Sequence, residues 1–278
     1  MPNYYAHLTF GAQVLARLDP ALRLRLEEER PAFDLGCLGP DPLFFYHPVL
    51  PNRVRREGMA LHAQSALPVF ERLRRGVAEE RPMAWGYAAG FLCHLALDSA
   101  CHRWIDQKAD AGPVTHLAME AEFDRLLMER DGLRSLGCSY LPPVPPEEVF
   151  AAAALAYEAG PAQVEEGYRS MRKTTALFAR LSGRQLSRPA NFLAGRLPKL
   201  RALRGIFLTA RPRSAFEESN VYLTQQLSAA VEPAAQQTAR FFRAAVSGGP
   251  LDAWLDRDFK GNLSAGGHPA GARSAPAY

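Results

Sequence analysis

The chain has 278 residues, 47% hydrophobic and 22% charged, with a formal net charge of +4. That length allows one large domain or two small ones with a sizeable core, and no apolar run approaches the ~18 residues of a membrane-spanning helix. Four cysteines (Cys37, Cys93, Cys101, Cys138), with no CxxC among them, exclude a disulfide framework.

In chain order, residues 4–29 read as helix. Leu8, Phe10, Val14, Leu15 and Leu18 recur at helical spacing, Pro20 interrupts, and a second short helix runs to about Glu29. His7 falls in the first turn. Residues 31–56 are dense in Gly and Pro and read as loop. Asp41 stands between two prolines, which hold it out of a helix and suit it to a ligand or general-base role. His47 follows in the same stretch. Residues 57–80 read as helix, with His62 beside the apolar face. Residues 82–107 form a long central helix and 113–131 the next, both rich in Ala and Leu. The run L-P-P-V-P-P marks a hinge before P-P-E-E opens another helix, with acids at its positive end. Helical periodicity returns over 146–182 and 214–247. From Gly261 the chain is Gly, Ala, Ser and Pro without an apolar pattern and reads as a disordered tail, 261–278, which includes His268. No repeat and no alternating strand pattern occurs. The class is all-α, with a single domain over 1–260.

The chemistry concentrates between Phe91 and Leu127. His94, Asp98 and His102 are spaced i, i+4, i+8, and His116 and Glu120 are spaced i, i+4. Each four-residue step returns to nearly the same helix face. Two imidazoles and a carboxylate therefore share one stripe, and an imidazole and a carboxylate lie on a facing helix. Neutral imidazole and carboxylate suit a borderline divalent ion such as zinc. Cys93 and Cys101 sit about 100° behind the stripe and read as core.

Charge is uneven. From Gly167 to Phe216 there is no Asp or Glu, while twelve Arg and Lys occur there, Arg213 the last. Such a block fits either an anionic partner or a solvated helix face. Its part 180–213 reads as a lid-like or membrane-surface segment.

The ordered set, comprising an N-terminal His, G-P-D, a helical His, H-L-A-L-D-S-A-C-H-R-W-I-D and H-L-A-M-E-A-E-F-D-R-L-L, resembles the bacterial zinc-dependent phospholipase C family, whose fold is shared by the S1/P1-type nucleases. The resemblance covers roughly residues 1–130 and implies a multi-helix bundle with two or three zinc ions in a core cleft. Asp41, His62, His94 and Asp98 would hold one ion. His102, His116 and Glu120 would hold a second. Asp98 would bridge to a third that also takes His7. In the family an N-terminal Trp completes the third ion; here the chain begins M-P-N-Y-Y, with no Trp before His7. The interval from Asp41 to His62 exceeds the family's, and His47 competes with His62.

The expected activity is zinc-dependent phosphodiester hydrolysis, with activated water attacking a phospholipid or related ester and Asp41 as base or orienting group. Phe44, Phe45 and Tyr46 would wall the substrate. An S1/P1-type nuclease or phosphomonoesterase is the alternative on this scaffold, with nucleic acid ranking below lipid as partner. A non-catalytic zinc-binding, membrane-associated module is a third. The start lacks a basic, apolar secretory pattern, so a cytoplasmic location with peripheral contact to an anionic membrane is expected.

Overall fold

A computed structural model describes residues 4–184, 186–197 and 203–263. The described residues form an all-α bundle, in which the one β feature is an isolated bridge between Arg257 and Leu263. In chain order the helices are α1 (Tyr4–Leu15), α2 (Pro20–Glu28), α3 (Arg30–Gly36), α4 (Asp41–Phe44), α5 (Arg53–His62), α6 (Leu67–Ala78), α7 (Ala84–Ala111), α8 (His116–Arg130), α9 (Glu147–Ala154), α10 (Pro161–Gly183), α11 (Ser187–Arg196) and α12 (Glu217–Ser247).

The stretch 31–56, expected as loop, is partly helical. Pro31 and Pro42 fall in the first turns of α3 and α4, where a missing N–H costs nothing and a fixed φ helps. Asp41 is thus the first residue of a short helix, not held out of one. The expected helix over 57–80 is two, α5 and α6, broken between His62 and Leu67. The tail expected over 261–278 lies outside the described residues from 264 onward.

α7 is the axis. Its residues from Ala84 to Asp98 are nearly all buried, which explains an apolar pattern without one dominant face. α3 lies unusually close against it. A Cβ on Gly90 would stand 2.1 Å from the Phe33 carbonyl oxygen, and one on Gly36 would stand 2.4 Å from that of Tyr87. Bare backbone on both helices permits this approach. The buried Glu29 carboxylate, before α3, accepts from the Gly86 N–H at 2.7 Å in the first turn of α7. These contacts fix the 37–41 turn over the middle of α7. On the other side, the Asp124 carboxylate of α8 accepts the Ala6 and Tyr5 N–H groups at 2.8 and 3.2 Å. It satisfies two otherwise open donors at the start of α1 and so sets the position of His7.

The basic segment packs on α8 as well. Leu203, Ile206, Phe207 and Leu208 cluster with Leu117 and Ala121. Arg213 pairs with buried Glu122 at 2.8 Å. By helical spacing Glu122 stands about 200° round α8 from Glu120. The described part of the segment is thus anchored on α8 through Glu122; residues 198–202 lie outside the described residues.

Candidate metal centre

The i, i+4 stripe of α7 and the pair on α8 converge. His94 Nε2 lies 3.2 Å from Asp98 Oδ2, and His102 Nε2 lies 3.1 Å from Asp98 Oδ1. His7 Nε2, from α1, is 3.2 Å from Asp98 Oδ1. From α8, Glu120 Oε1 is 3.0 Å from His116 Nε2 and 3.4 Å from His102 Nε2. His62, the last residue of α5, brings its Nε2 to 3.5 Å from Asp41 Oδ1 and 4.0 Å from Asp98 Oδ2. All eight expected residues thus meet in one place. They divide into three groups with metal-ligand spacing: His7, His94 and Asp98; Asp41, His62 and His94; His102, His116 and Glu120.

His47 does not join them. It pairs with Glu166 at 3.2 Å, with its side chain 57% exposed. Between the two competing histidines, the geometry brings in His62. Phe44 tilts on the His62 ring at 5.0 Å between centroids, Phe45 is buried in the core, and Tyr46 lies against His47. Of the three aromatics expected to wall the substrate, only Phe44 borders the cluster. Cys93 and Cys101 are buried and belong to none of the metal-spaced groups.

The ring orientations are set from behind. His94 Nδ1 faces the Cys37 carbonyl at 3.1 Å, His62 Nδ1 the Gly58 carbonyl at 2.8 Å, and His116 Nδ1 an Asp106 carboxylate oxygen at 2.8 Å. Each partner is an acceptor, so each Nδ1 carries the proton, and a neutral ring then has its lone pair on Nε2. All three Nε2 atoms point at carboxylate oxygens. A lone pair facing an anion is repulsive unless a proton or a metal cation lies between them. Both oxygens of Asp98 and the Nε2 of His94 are buried without a hydrogen-bond partner. Leaving such groups unsatisfied is costly in a native core, and a divalent ion would satisfy them. The donor set therefore fits zinc.

The electrostatics couple the same groups. Burial acts to raise the Asp98 pKa, but His102, His94 and His7 outweigh it and hold the carboxylate well below its usual range. Burial acts to lower the His94 pKa, yet Asp98 and Asp41 lift it to about 9. His116 is lifted to about 9 in the same way, by Glu120 and Asp106 against burial. Among the described residues, the ion-pair partners of Asp41 and Asp98 are all histidines. No guanidinium competes for them.

The cluster runs from a closed floor to an open mouth. The side chains of His7, His94 and Asp98 are at most 3% exposed, whereas those of His62, His102 and His116 are 19%, 15% and 29% exposed.

Sequence reasoning missed three neighbours. Asp106, which holds His116, is the next i+4 step after His102, so the stripe itself carried the signal. Phe259 and Lys260 reach the cluster from the far end of the chain. The Phe259 ring lies 4.7 Å from His62 and 5.6 Å from His94, and Lys260 pairs with Asp106.

No helix among the described residues is long and apolar enough to cross a membrane. The profile of a protein family described as zinc dependent phospholipase C matches residues 6–186, which span every residue of the three groups. Neither the curated proteins nor the solved structures compared with this chain include a match.

Proposed function

We propose that this chain, which belongs to the zinc-dependent phospholipase C family, is a hydrolase that cleaves a phosphodiester of phospholipid type at the Asp98-centred cluster. The observation that carries this reading is the buried Asp98 carboxylate ringed by the Nε2 atoms of His7, His94 and His102. Asp98 would be shared between ions. Asp41, His62, His94 and Asp98 would hold one, His102, His116 and Glu120 a second, and His7 with Asp98 a third. Zinc bound there supplies Lewis acidity toward a phosphoryl oxygen and lowers the pKa of water.

The chain's own residues do the rest. His94, His62 and His116 present Nε2 because their Nδ1 protons are committed elsewhere. Asp41 is held ionised: burial raises its pKa, but His62 and His94 outweigh that. An ionised carboxylate there can orient an attacking water or accept its proton. The partly exposed His62, His102 and His116 leave a side on which substrate can enter, as a catalytic site needs and a closed structural zinc site lacks.

A lipid aggregate is the favoured source of substrate because of α11. Its outward face carries Arg188, Pro189, Phe192, Leu193 and Arg196, with Phe192 63% and Leu193 56% exposed. Large apolar groups set among arginines, with no acid on the face, suit an anionic membrane surface.

Purified protein should contain at least two equivalents of zinc and should hydrolyse a short-chain phospholipid or p-nitrophenylphosphorylcholine. Chelator should abolish turnover and zinc should restore it. Faster cleavage of single-stranded nucleic acid than of lipid would replace the substrate assignment. Zinc-replete protein that turns over neither would make the centre non-catalytic. Co-sedimentation with anionic vesicles should weaken with salt and after Phe192→Ser with Arg196→Glu; insensitivity to both would remove the membrane surface.

A further inference from the structure

The family match ends at residue 186, yet the cluster is walled by residues from beyond it. We infer that the C-terminal segment 256–263 is a built part of the metal centre, with Lys260 and Asp106 acting as positioning residues for His116. This inference rests on the reading of the cluster as a metal site.

The segment is held on both sides. Ser65 Oγ donates to Asp256 at 2.6 Å, and the Ala66 N–H donates to the Arg257 carbonyl at 2.8 Å, which ties it to the turn after His62. Asp258 accepts the Lys260 and Asn262 N–H groups at 2.9 Å each, closing a tight turn. Gly261 has φ +78° and lies against α7, where a Cβ would stand 2.8 Å from the Ser99 carbonyl oxygen. Between these anchors Phe259 is 1% exposed and packs on the His62 and His94 rings. Lys260, with its side chain 52% exposed, reaches across the mouth to one Asp106 oxygen. The other Asp106 oxygen takes His116 Nδ1 at 2.8 Å. A carboxylate behind a ligating imidazole fixes its tautomer and its aim. Here a lysine from 154 residues away fixes the carboxylate in turn. Phe259 does the complementary work, blocking rotation of the two rings that lack a charged brace.

The test is zinc affinity of the full-length chain, measured by competition with a chromophoric chelator, with stoichiometry from metal analysis. Lys260→Met leaves a half-exposed site without buried voids, so folding is retained. It and Asp106→Asn should each weaken the less tightly held ion by about 10–100-fold, the usual effect of losing an outer partner of a metal ligand. The double variant should be no worse than Asp106→Asn alone, because both act through His116, and Lys260→Arg should restore affinity. Wild-type protein that binds zinc while Lys260→Met and Asp106→Asn bind it equally well would overturn the inference alone. Additive losses in the double variant would overturn the shared route through His116. Wild-type protein that binds no zinc would overturn the metal reading, and this inference with it.

Discussion

On one face of α8, Glu122 is fully buried with Arg213 at 2.8 Å and Arg125 at 3.3 Å. On the other, Glu120 is buried with His116 at 3.0 Å and His102 at 3.4 Å. Two glutamates two residues apart on one helix are thus buried among basic side chains of different kinds. A guanidinium is always charged and offers only donors, so it pairs with a carboxylate but cannot ligate a cation. An imidazole can give up its proton and offer a lone pair. The first arrangement closes a structural contact and staples the basic segment to the bundle. The second leaves ligands that a cation can gather. Buried charge marks a candidate site here because of the identity of its partners.

Substitutions on the two faces should separate these roles. The largest effect is expected from Asp98→Asn, which removes the carboxylate facing His7, His94 and His102. Zinc affinity should fall by more than the ~10–100-fold typical of outer partners, read by metal analysis and competition titration. Full zinc content and turnover in this variant would end the bridging role. Asp41→Asn should lower turnover about 100-fold. If zinc content is unchanged, the loss belongs to orienting the water; a loss that follows zinc content makes Asp41 a ligand only. Arg213→Ala acts on the opposite face. It leaves Glu122 with Arg125 alone and should cost about 1–3 kcal/mol in urea unfolding, with zinc stoichiometry unaltered. Loss of zinc in that variant would show that the two faces of α8 are coupled. His47→Ala should change stability by less than about 0.5 kcal/mol and leave zinc binding intact; weakened binding would reopen its place among the ligands.

The site was readable from sequence wherever helical arithmetic applies. His94, Asp98 and His102 had to share a face once α7 was recognised, and His116 with Glu120 likewise on α8. Asp106 stood on the same stripe, but what it holds appears only when α8 folds back against α7. The stretch 31–56 misled because Gly and Pro density reads as loop. Pro31 and Pro42 instead open helices, and Gly36 lets α3 seat directly on α7. The choice of His62 over His47 depended on where a ten-residue helix, α5, ends after a turn whose length says nothing of direction. Phe259 and Lys260 gave no signal, because nothing local in a short polar turn records a contact made 154 residues away.

Gly39 has φ +52°, and a Cβ there would stand 2.3 Å from Cδ2 of His94. Its carbonyl accepts from the Tyr157 hydroxyl at 2.8 Å, which pins the turn in that handedness. The left-handed backbone thus lies close against the imidazole and restricts its movement on that side. The reorganisation that a flexible ligand set must undergo before it can capture an ion is largely absent at this position. Metal uptake at the floor of the cleft should then be limited by dehydration of the incoming ion and its passage through the mouth, and exchange should be slow in both directions.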